Sequence, residues 1–263
     1  MFDRGSAASF PDISGGSSRI RMWSAVFALS RNEAAAAVEA LQPVGVTPPL
    51  SQLDLVVLGR AYLAQGSLDR AIGAWSKAEA WPELIRAADQ ADNDRQWQSA
   101  LLLVSAAKAA APRDVVSSEA RAWRGLGEPE AALRIVSQAL ATWPNAPEAT
   151  IWLLYQGDAL SDLRRWNEAW GVYEQVSTSR DPGMAYWGFL GMGLTSYRSG
   201  NGFAAAAAPI AHAISLFPNY RAGYTVMAEL LRSEHRADEA VTWDRRAAAA
   251  SSTDVSPAAS APN

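Results

Sequence analysis

Residues 55–82 read LVVLGRAYLAQGSLDRAIGAWSKAEAWP and predict two amphipathic helices joined by a tight turn. Leu55, Leu58 and Tyr62 are three and four residues apart, so they fall on one face of a first helix. Gly66 is expected to end that helix, because glycine adopts a left-handed backbone at little cost. After the turn, residues at the same helical spacing form one face of a second helix: Ala71, Trp75 and Ala78.

Small residues lie where the two helices would approach each other closely, at Gly59, Ala71 and Ala78. The aromatic side chains of Tyr62 and Trp75 can fill the space beside them, and a proline follows the second helix. This order of Leu-Gly, Tyr, Gly, Ala, aromatic, Ala and Pro resembles the tetratricopeptide repeat, a helix-turn-helix unit of about 34 residues.

The alanine that opens the second helix face recurs along the chain, at Ala71, Ala100, Ala132, Ala169, Ala206 and Ala240. The successive separations are 29, 32, 37, 37 and 34 residues, close to the period of the repeat. The match covers about residues 50–250 and is strongest in the first, third and fifth of about six units. The resemblance implies an all-α fold, a right-handed α-solenoid of tandem helix-turn-helix repeats whose core forms between neighbouring units.

The two ends of the chain lack this pattern. Residues 1–18, rich in Ser, Gly and Pro, and the Ala-, Ser- and Pro-rich tail, residues 251–263, are predicted to be disordered. Residues 19–49 are predicted to form helices, either a cap of the stack or a degenerate repeat. Trp23, Val26 and Phe27 make one short apolar face there. A signal peptide is the weaker alternative, because the apolar segment is short and runs directly into charged residues.

Composition narrows the classes of function. The 263-residue chain has a net charge of −4, so a nucleic-acid partner is not favoured. It has no cysteine, which excludes disulfides and thiolate metal sites, and its two histidines, His212 and His235, are far apart. No window holds about 18 unbroken apolar residues, so no membrane span is predicted. No cofactor is predicted, and the compartment (cytoplasmic or extracytoplasmic) and the oligomeric state stay open.

Common catalytic motifs do not occur in the sequence. It has no phosphate loop ending in Gly-Lys-Ser or Gly-Lys-Thr, no His-Glu-x-x-His and no Gly-x-Ser-x-Gly, so an enzyme is not predicted. Three glycines, Gly188, Gly191 and Gly193, fall on a helix with apolar neighbours and predict close packing between helices.

The resemblance implies that the first helix of each repeat lines a concave groove, which in such proteins commonly holds an extended peptide or a partner helix. Spacing from the Leu-Gly mark gives the candidate peptide-binding residues: Arg60, Asp89, Arg121, Arg124, Asp158, Thr195, Arg198 and Glu229. The family's clamp for acidic chaperone tails needs Lys and Asn. It is disfavoured here, because its places hold Val56, Arg60, Ser117 and Arg121.

The leading hypothesis is a non-catalytic scaffold that binds a peptide or a partner segment of mixed charge in the groove. Arg60, Arg121 and Arg124 could bind a carboxylate or a phosphate bidentately, although alternating charges are also typical of a solvated face. On this hypothesis, reversing the three arginines to Glu abolishes partner capture and leaves helicity unchanged. The alternative is the helical region of a larger bacterial membrane or envelope assembly, for example a glycan ligase or polymerase.

Eleven tryptophans raise a further option, a surface that stacks on sugar rings or nucleobases. Six lie on helix faces that are predicted to pack: Trp75, Trp123, Trp152, Trp170, Trp187 and Trp243. Four lie near turns and are the better candidates for exposure: Trp81, Trp97, Trp143 and Trp166.

Overall fold

The computed structural model describes residues 18–42 and 50–250, and all fourteen regular elements in these ranges are α-helices. The first six are α1 Ser18–Ser30, α2 Ala34–Leu41, α3 Gln52–Ala64, α4 Leu68–Lys77, α5 Trp81–Asn93 and α6 Trp97–Ala107. The other eight are α7 Val116–Gly125, α8 Pro129–Thr142, α9 Ala149–Asp162, α10 Trp166–Ser177, α11 Pro182–Arg198, α12 Gly202–Leu216, α13 Arg221–Ser233 and α14 Ala237–Ala249. The disorder predicted for residues 1–17 and 251–263 lies outside the described residues, and Ser18 already belongs to α1.

The helices follow one another as seven hairpins, and the prediction of an all-α fold is confirmed for the described part of the chain. The fourteen helices fall into two compact units. Unit 1 extends to Pro112 and contains α1 to α6, and unit 2 begins at Arg113 and contains α7 to α14. Within each unit, the two helices of every hairpin pack against each other.

Each hairpin turn has a residue with a left-handed backbone two positions before its second helix begins. It is a glycine in three of the turns, at Gly66, Gly127 and Gly200, with φ between 74° and 84°. The other four turns have non-glycine residues with φ between 57° and 62°: Asn32, Arg95, Arg164 and His235. In all seven turns the next residue donates its N–H to the carbonyl five positions earlier, at 2.7–3.1 Å. This bond satisfies a carbonyl at the end of the first helix and reverses the chain.

The turn of the first hairpin is in phase with those that follow. Asn32 lies 34 residues before Gly66, which is one period of the repeat. α1 packs against α2, and both contact α3. The hairpin of α1 and α2 therefore has the turn geometry of the other six and lies one repeat period before the next turn.

In unit 1, the side chain of Trp75 is 1 % exposed and packs across Gly59. A side chain at Gly59 would overlap the indole ring, so the Leu-Gly mark of the sequence is a packing requirement. The indole N–H donates to the Val56 carbonyl at 3.1 Å, which satisfies this buried polar group. Ser51 and Asp54 form a capping box that fixes the start of α3.

One face of α1 is apolar and exposed. Trp23 is 63 % exposed, and Ile20, Val26 and Phe27 lie on the same side of the helix. Leu53, at the start of α3, is exposed as well and borders the same cavity as Trp23. The short face predicted from the sequence therefore forms, and it points away from the core of unit 1.

Close helix packing at the three glycines of α11 is confirmed. A Cβ atom at Gly188 would lie 2.5 Å from the backbone nitrogen of Ser177, and one at Gly193 would lie 2.9 Å from the Ala206 carbonyl. At Gly191 it would overlap an aromatic ring of α10. These positions let α11 approach both α10 and α12 in the core of unit 2. Within the described ranges, no helix combines the length and the apolar character that crossing a bilayer requires.

Candidate binding site on the first helices of unit 2

The first helix of each hairpin in unit 2 contributes to one row of helices, which we name the first-helix face: α7, α9, α11 and α13. α7 contacts α9, α9 contacts α11, and α11 contacts α13. The predicted groove positions of the last four hairpins lie on these helices. The first-helix face therefore carries all the candidate peptide-binding residues of unit 2.

Arg124 of α7 joins two carboxylates of α9. Its Nη1 donates to Asp158 at 2.6 Å and its Nε donates to Asp162 at 2.8 Å. Burial lowers the pKa of the guanidinium, but the two carboxylates outweigh burial and hold this pKa above its ordinary value. Arg124 is therefore a fixed link between α7 and α9, the first helices of two consecutive hairpins.

The second oxygen of Asp158 is engaged too. Tyr173 of α10 is 4 % exposed and donates its hydroxyl to Asp158 Oδ1 at 2.6 Å. Burial, together with the nearby carboxylate, raises the pKa of Tyr173 well above its ordinary value, so the phenol remains a hydrogen-bond donor at neutral pH. Both oxygens of Asp158 thus accept hydrogen bonds from within the protein.

Thr195 and Ser161 form a second polar contact between first helices. Both residues are buried, and their hydroxyl oxygens are 3.2 Å apart across α9 and α11. This contact provides each hydroxyl with a partner in a region where an unpaired polar group would be costly. Thr195 also borders a cavity at the end of α11.

Two of the candidate residues are exposed and unengaged. Arg198, the last residue of α11, and Glu229 of α13 make no side-chain hydrogen bond or ion pair with any described residue. They carry opposite charges on helices that contact each other. These two side chains can therefore meet a partner without first breaking an internal contact.

In unit 1, Arg60 is engaged by a neighbouring helix. Its Nη2 lies 2.7 Å from Glu83 Oε1, and Arg86 contacts the other oxygen of Glu83 at 2.8 Å. Partial burial raises the pKa of Glu83, but the two arginines outweigh burial and lower this pKa below its ordinary value. Arg60 thus links α3 to α5, and a ligand carboxylate would compete with Glu83 for it.

The remaining two candidates are half-buried. Asp89 lies on α5 and Arg121 on α7, and each interacts with other groups of the protein. One interaction of Arg121 is a weak contact of its Nη2 with Ser118 Oγ at 3.5 Å. The two residues belong to different units.

A cavity of about 240 Å³ opens beside Thr195. It lies between the start of α10, the end of α11 and the turn into α12, and its lining residues are Trp166, Asn167, Trp170, Thr195, Ser199 and Asn201. Trp166, predicted from the sequence as a candidate for exposure, is half-buried here, as is Trp170. Among the described residues, no group of three or more His, Asp or Glu could hold a metal ion.

The structure brings together some of the predicted residues and separates others. Arg124 and Asp158 are direct partners, and Thr195 and Arg198 share α11. Whether any of them binds a peptide stays a prediction. Sequence reasoning missed the bond from Tyr173 and most of the cavity, because the repeat pattern assigns Tyr173 only a packing role.

Solved structures define the class of fold as the tetratricopeptide-repeat α-solenoid. A tetratricopeptide repeat protein from Parabacteroides merdae matches with a TM-score of 0.60 and 15 % identity, over 90 % of this chain and 94 % of that one. The C-terminal part of a TPR repeat-containing protein from Cytophaga hutchinsonii matches with a TM-score of 0.57 and 13 % identity, over 88 % and 95 %. PilF from Pseudomonas aeruginosa matches with a TM-score of 0.54 and 20 % identity, over 66 % and 78 %.

These likenesses confirm the predicted repeat fold at low sequence identity, and they concern the fold alone. No protein-family model and no curated protein sequence matches the chain.

Proposed function

We propose that the protein is a non-catalytic scaffold that binds a partner polypeptide along the first-helix face of unit 2. Repeat arrays commonly bind their partners on extended faces built from equivalent helices, and this fold supports the same use here. The observation that carries the proposal is the pair of exposed, unengaged and oppositely charged residues Arg198 and Glu229, which lie on the same row of first helices as a polar network satisfied from within.

The charges of the face favour a polypeptide that itself carries both signs. A purely acidic segment is disfavoured, because Arg124 already pairs with Asp158 and Asp162. Arg198 offers a donor to a carboxylate and Glu229 offers an acceptor to an amine or a guanidinium. Opposite charges at two fixed points also select the direction in which a segment can lie.

The ion pairs change which substitutions test the proposal. Reversing Arg124 to Glu would place a third carboxylate against Asp158 and Asp162, so the loss of binding could not be separated from the loss of structure. Unlike the expectation from sequence, the reversal of Arg124 is therefore expected to affect the structure as well as binding. Arg198 and Glu229 are better targets, because neither has an internal partner to lose.

The test is a charge-swapped variant, Arg198→Glu with Glu229→Arg, which keeps the net charge. Affinity capture from extracts of the native source, followed by mass spectrometry, would identify polypeptides retained by the wild type. Direct titration with each purified polypeptide would then compare the variants. We expect the swap to remove binding, because each charge would meet a like charge on the partner.

The matched control is Arg134→Glu with Glu174→Arg. These residues lie on second helices, α8 and α10, are exposed and likewise have no side-chain partner among the described residues. Binding should survive this swap. Equal retention of the partner by both swapped variants would place the binding site elsewhere on the protein.

A further inference from the structure

The cavity beside Thr195 is lined only by uncharged side chains, two of which are indole rings. The amides of Asn167 and Asn201 and the indole N–H groups of Trp166 and Trp170 have no hydrogen-bond partner among the described residues. The site therefore combines aromatic surface with hydrogen-bonding groups that are not committed elsewhere.

Two charged residues next to the cavity lining pair with each other. Arg165 and Glu168, which flank Trp166 and Asn167, form a two-bond pair with distances of 2.7 and 2.6 Å. A charged ligand group entering the cavity would lose hydration and find no counter-charge in the lining. The occupant that this chemistry fits is uncharged.

The volume fits one side chain better than a whole small-molecule ligand. At about 240 Å³ the cavity is smaller than the roughly 300–1,000 Å³ of a typical small-molecule pocket. Thr195 is a predicted groove position on α11 and also lines the cavity, so the cavity adjoins the first-helix face at this helix.

We propose that this cavity receives an aromatic side chain of the bound polypeptide, and tyrosine in particular. The inference rests on the proposed function and names a residue that the partner must contain. An aromatic ring can pack against the indole rings in tilted or offset arrangements, and a phenol hydroxyl can bond to an amide of Asn167 or Asn201. An aliphatic side chain would leave those amides unpaired, and a small amide side chain would leave the indole surface uncovered.

The test is a double-mutant cycle between peptide and cavity. Peptides are selected on the wild-type protein from a phage-displayed random library, and a selected tyrosine-containing peptide is synthesised together with its Tyr→Ala form. Dissociation constants are measured by fluorescence anisotropy for the wild type and for Trp166→Ala with Asn201→Ala. We expect Tyr→Ala to weaken wild-type binding about tenfold or more, and to change binding to the cavity variant less than about twofold.

The matched control is Trp97→Ala. Trp97 is half-buried and is the first residue of α6, as Trp166 is of α10, so it reports what losing a helix-opening indole does by itself. This variant should keep the full effect of Tyr→Ala. Thermal unfolding of each variant, followed by circular dichroism, confirms that the folded protein is being compared.

The outcomes separate the inference from the proposed function. The selected peptides can lose binding with the Arg198–Glu229 swap but lack an aromatic residue, or show additive losses in the cycle. Either result overturns the cavity assignment and leaves the proposed function in place. Peptides indifferent to that swap, or no selected peptide at all, overturn both. A neutral monosaccharide that quenches tryptophan fluorescence in the wild type and not in Trp166→Ala would assign the cavity to sugars instead.

Discussion

Arg124 and Asp158 are 34 residues apart in the sequence and their side chains are 2.6 Å apart in space. The same sequence separation joins Ser161 to Thr195 on the next pair of first helices. The turns of these three hairpins, at Gly127, Arg164 and Gly200, are 37 and 36 residues apart, so each contact joins a residue to one two or three positions earlier in the next first helix. Polar contacts on this face therefore hold each repeat to its neighbour, which makes their removal measurable as a loss of stability.

Replacing Arg124 with Met should lower the free energy of unfolding by about 1–3 kcal/mol, because Asp158 and Asp162 would lose their common charged partner in a partly buried place. Urea denaturation followed by circular dichroism measures this change. Arg134→Met on the exposed side of α8 is the control and should stay within about 0.5 kcal/mol of the wild type. Equal stability of the two variants would show that the Arg124 contacts contribute nothing.

Stability should depend on pH through Glu83. Its pKa is lower in the folded protein, so the unfolded chain binds the proton more tightly. The stabilisation is therefore present above the unfolded pKa of about 4.3 and is lost as the pH falls through the lowered value. Glu83→Gln should cost about 0.5–1 kcal/mol at pH 7 and much less at low pH.

Urea titrations of the wild type and Glu83→Gln at pH 7 and at about pH 3 would compare the two conditions directly. Glu174→Gln, at an exposed carboxylate without a side-chain partner, should show no such difference. A gap between wild type and Glu83→Gln that is equally wide at both pH values would contradict the assignment to the Arg60–Glu83–Arg86 contacts.

Glycine should stabilise the turns in which a larger residue has a left-handed backbone. Arg95→Gly, Arg164→Gly and His235→Gly should each raise the free energy of unfolding by about 0.5–1 kcal/mol, because the side chain no longer strains a positive φ. Thermal unfolding of the single and triple variants would show the gain. Gly127→Ala should have the opposite effect, and a stabilised Gly127→Ala protein would refute the assigned turn geometry.

Two glycines in helices should respond in opposite ways to alanine. Gly193→Ala would press its methyl group against Ile210 and the Ala206 carbonyl and should destabilise by about 1–3 kcal/mol. Gly171, inside α10, has no atom near the position of an added Cβ, so Gly171→Ala should stabilise by about 0.5–1 kcal/mol. Paired chemical denaturation curves measure both effects, and a same-sign result would mean that packing at Gly193 is looser than described.

The fold could be predicted because its determinants are local and repeated. Gly59, Gly66 and Trp75 stand at fixed spacing, and each has a distinct physical role in the hairpin. The match is strongest in the hairpins that turn at Gly66, Gly127 and Gly200, which are the ones with a glycine at the left-handed position. In the hairpin of α5 and α6, Arg95 takes that position, so the turn carries no glycine signal although its backbone is the same.

The candidate site could be predicted only in part. Spacing places Arg124 and Asp158 on neighbouring first helices, but it does not say that they would pair with each other and not with a ligand. The cavity combines residues of three elements, including Asn201 from a turn, and no repeat position marks such a combination. A charged side chain is available to a ligand when no other side chain of the protein pairs with it. These pairs depend on how the helices pack, which the spacing of residues in the sequence does not give.

The left-handed turns have a consequence for how this protein can change over generations. The backbone bond after each turn residue needs no particular side chain, so Arg95, Arg164 and His235 are exposed groups in positions that glycine fills elsewhere. A substitution at one of these positions changes the free energy of a single turn and leaves the hydrophobic core unchanged. These bends are thereby places where surface chemistry can drift while the architecture of each unit stays the same.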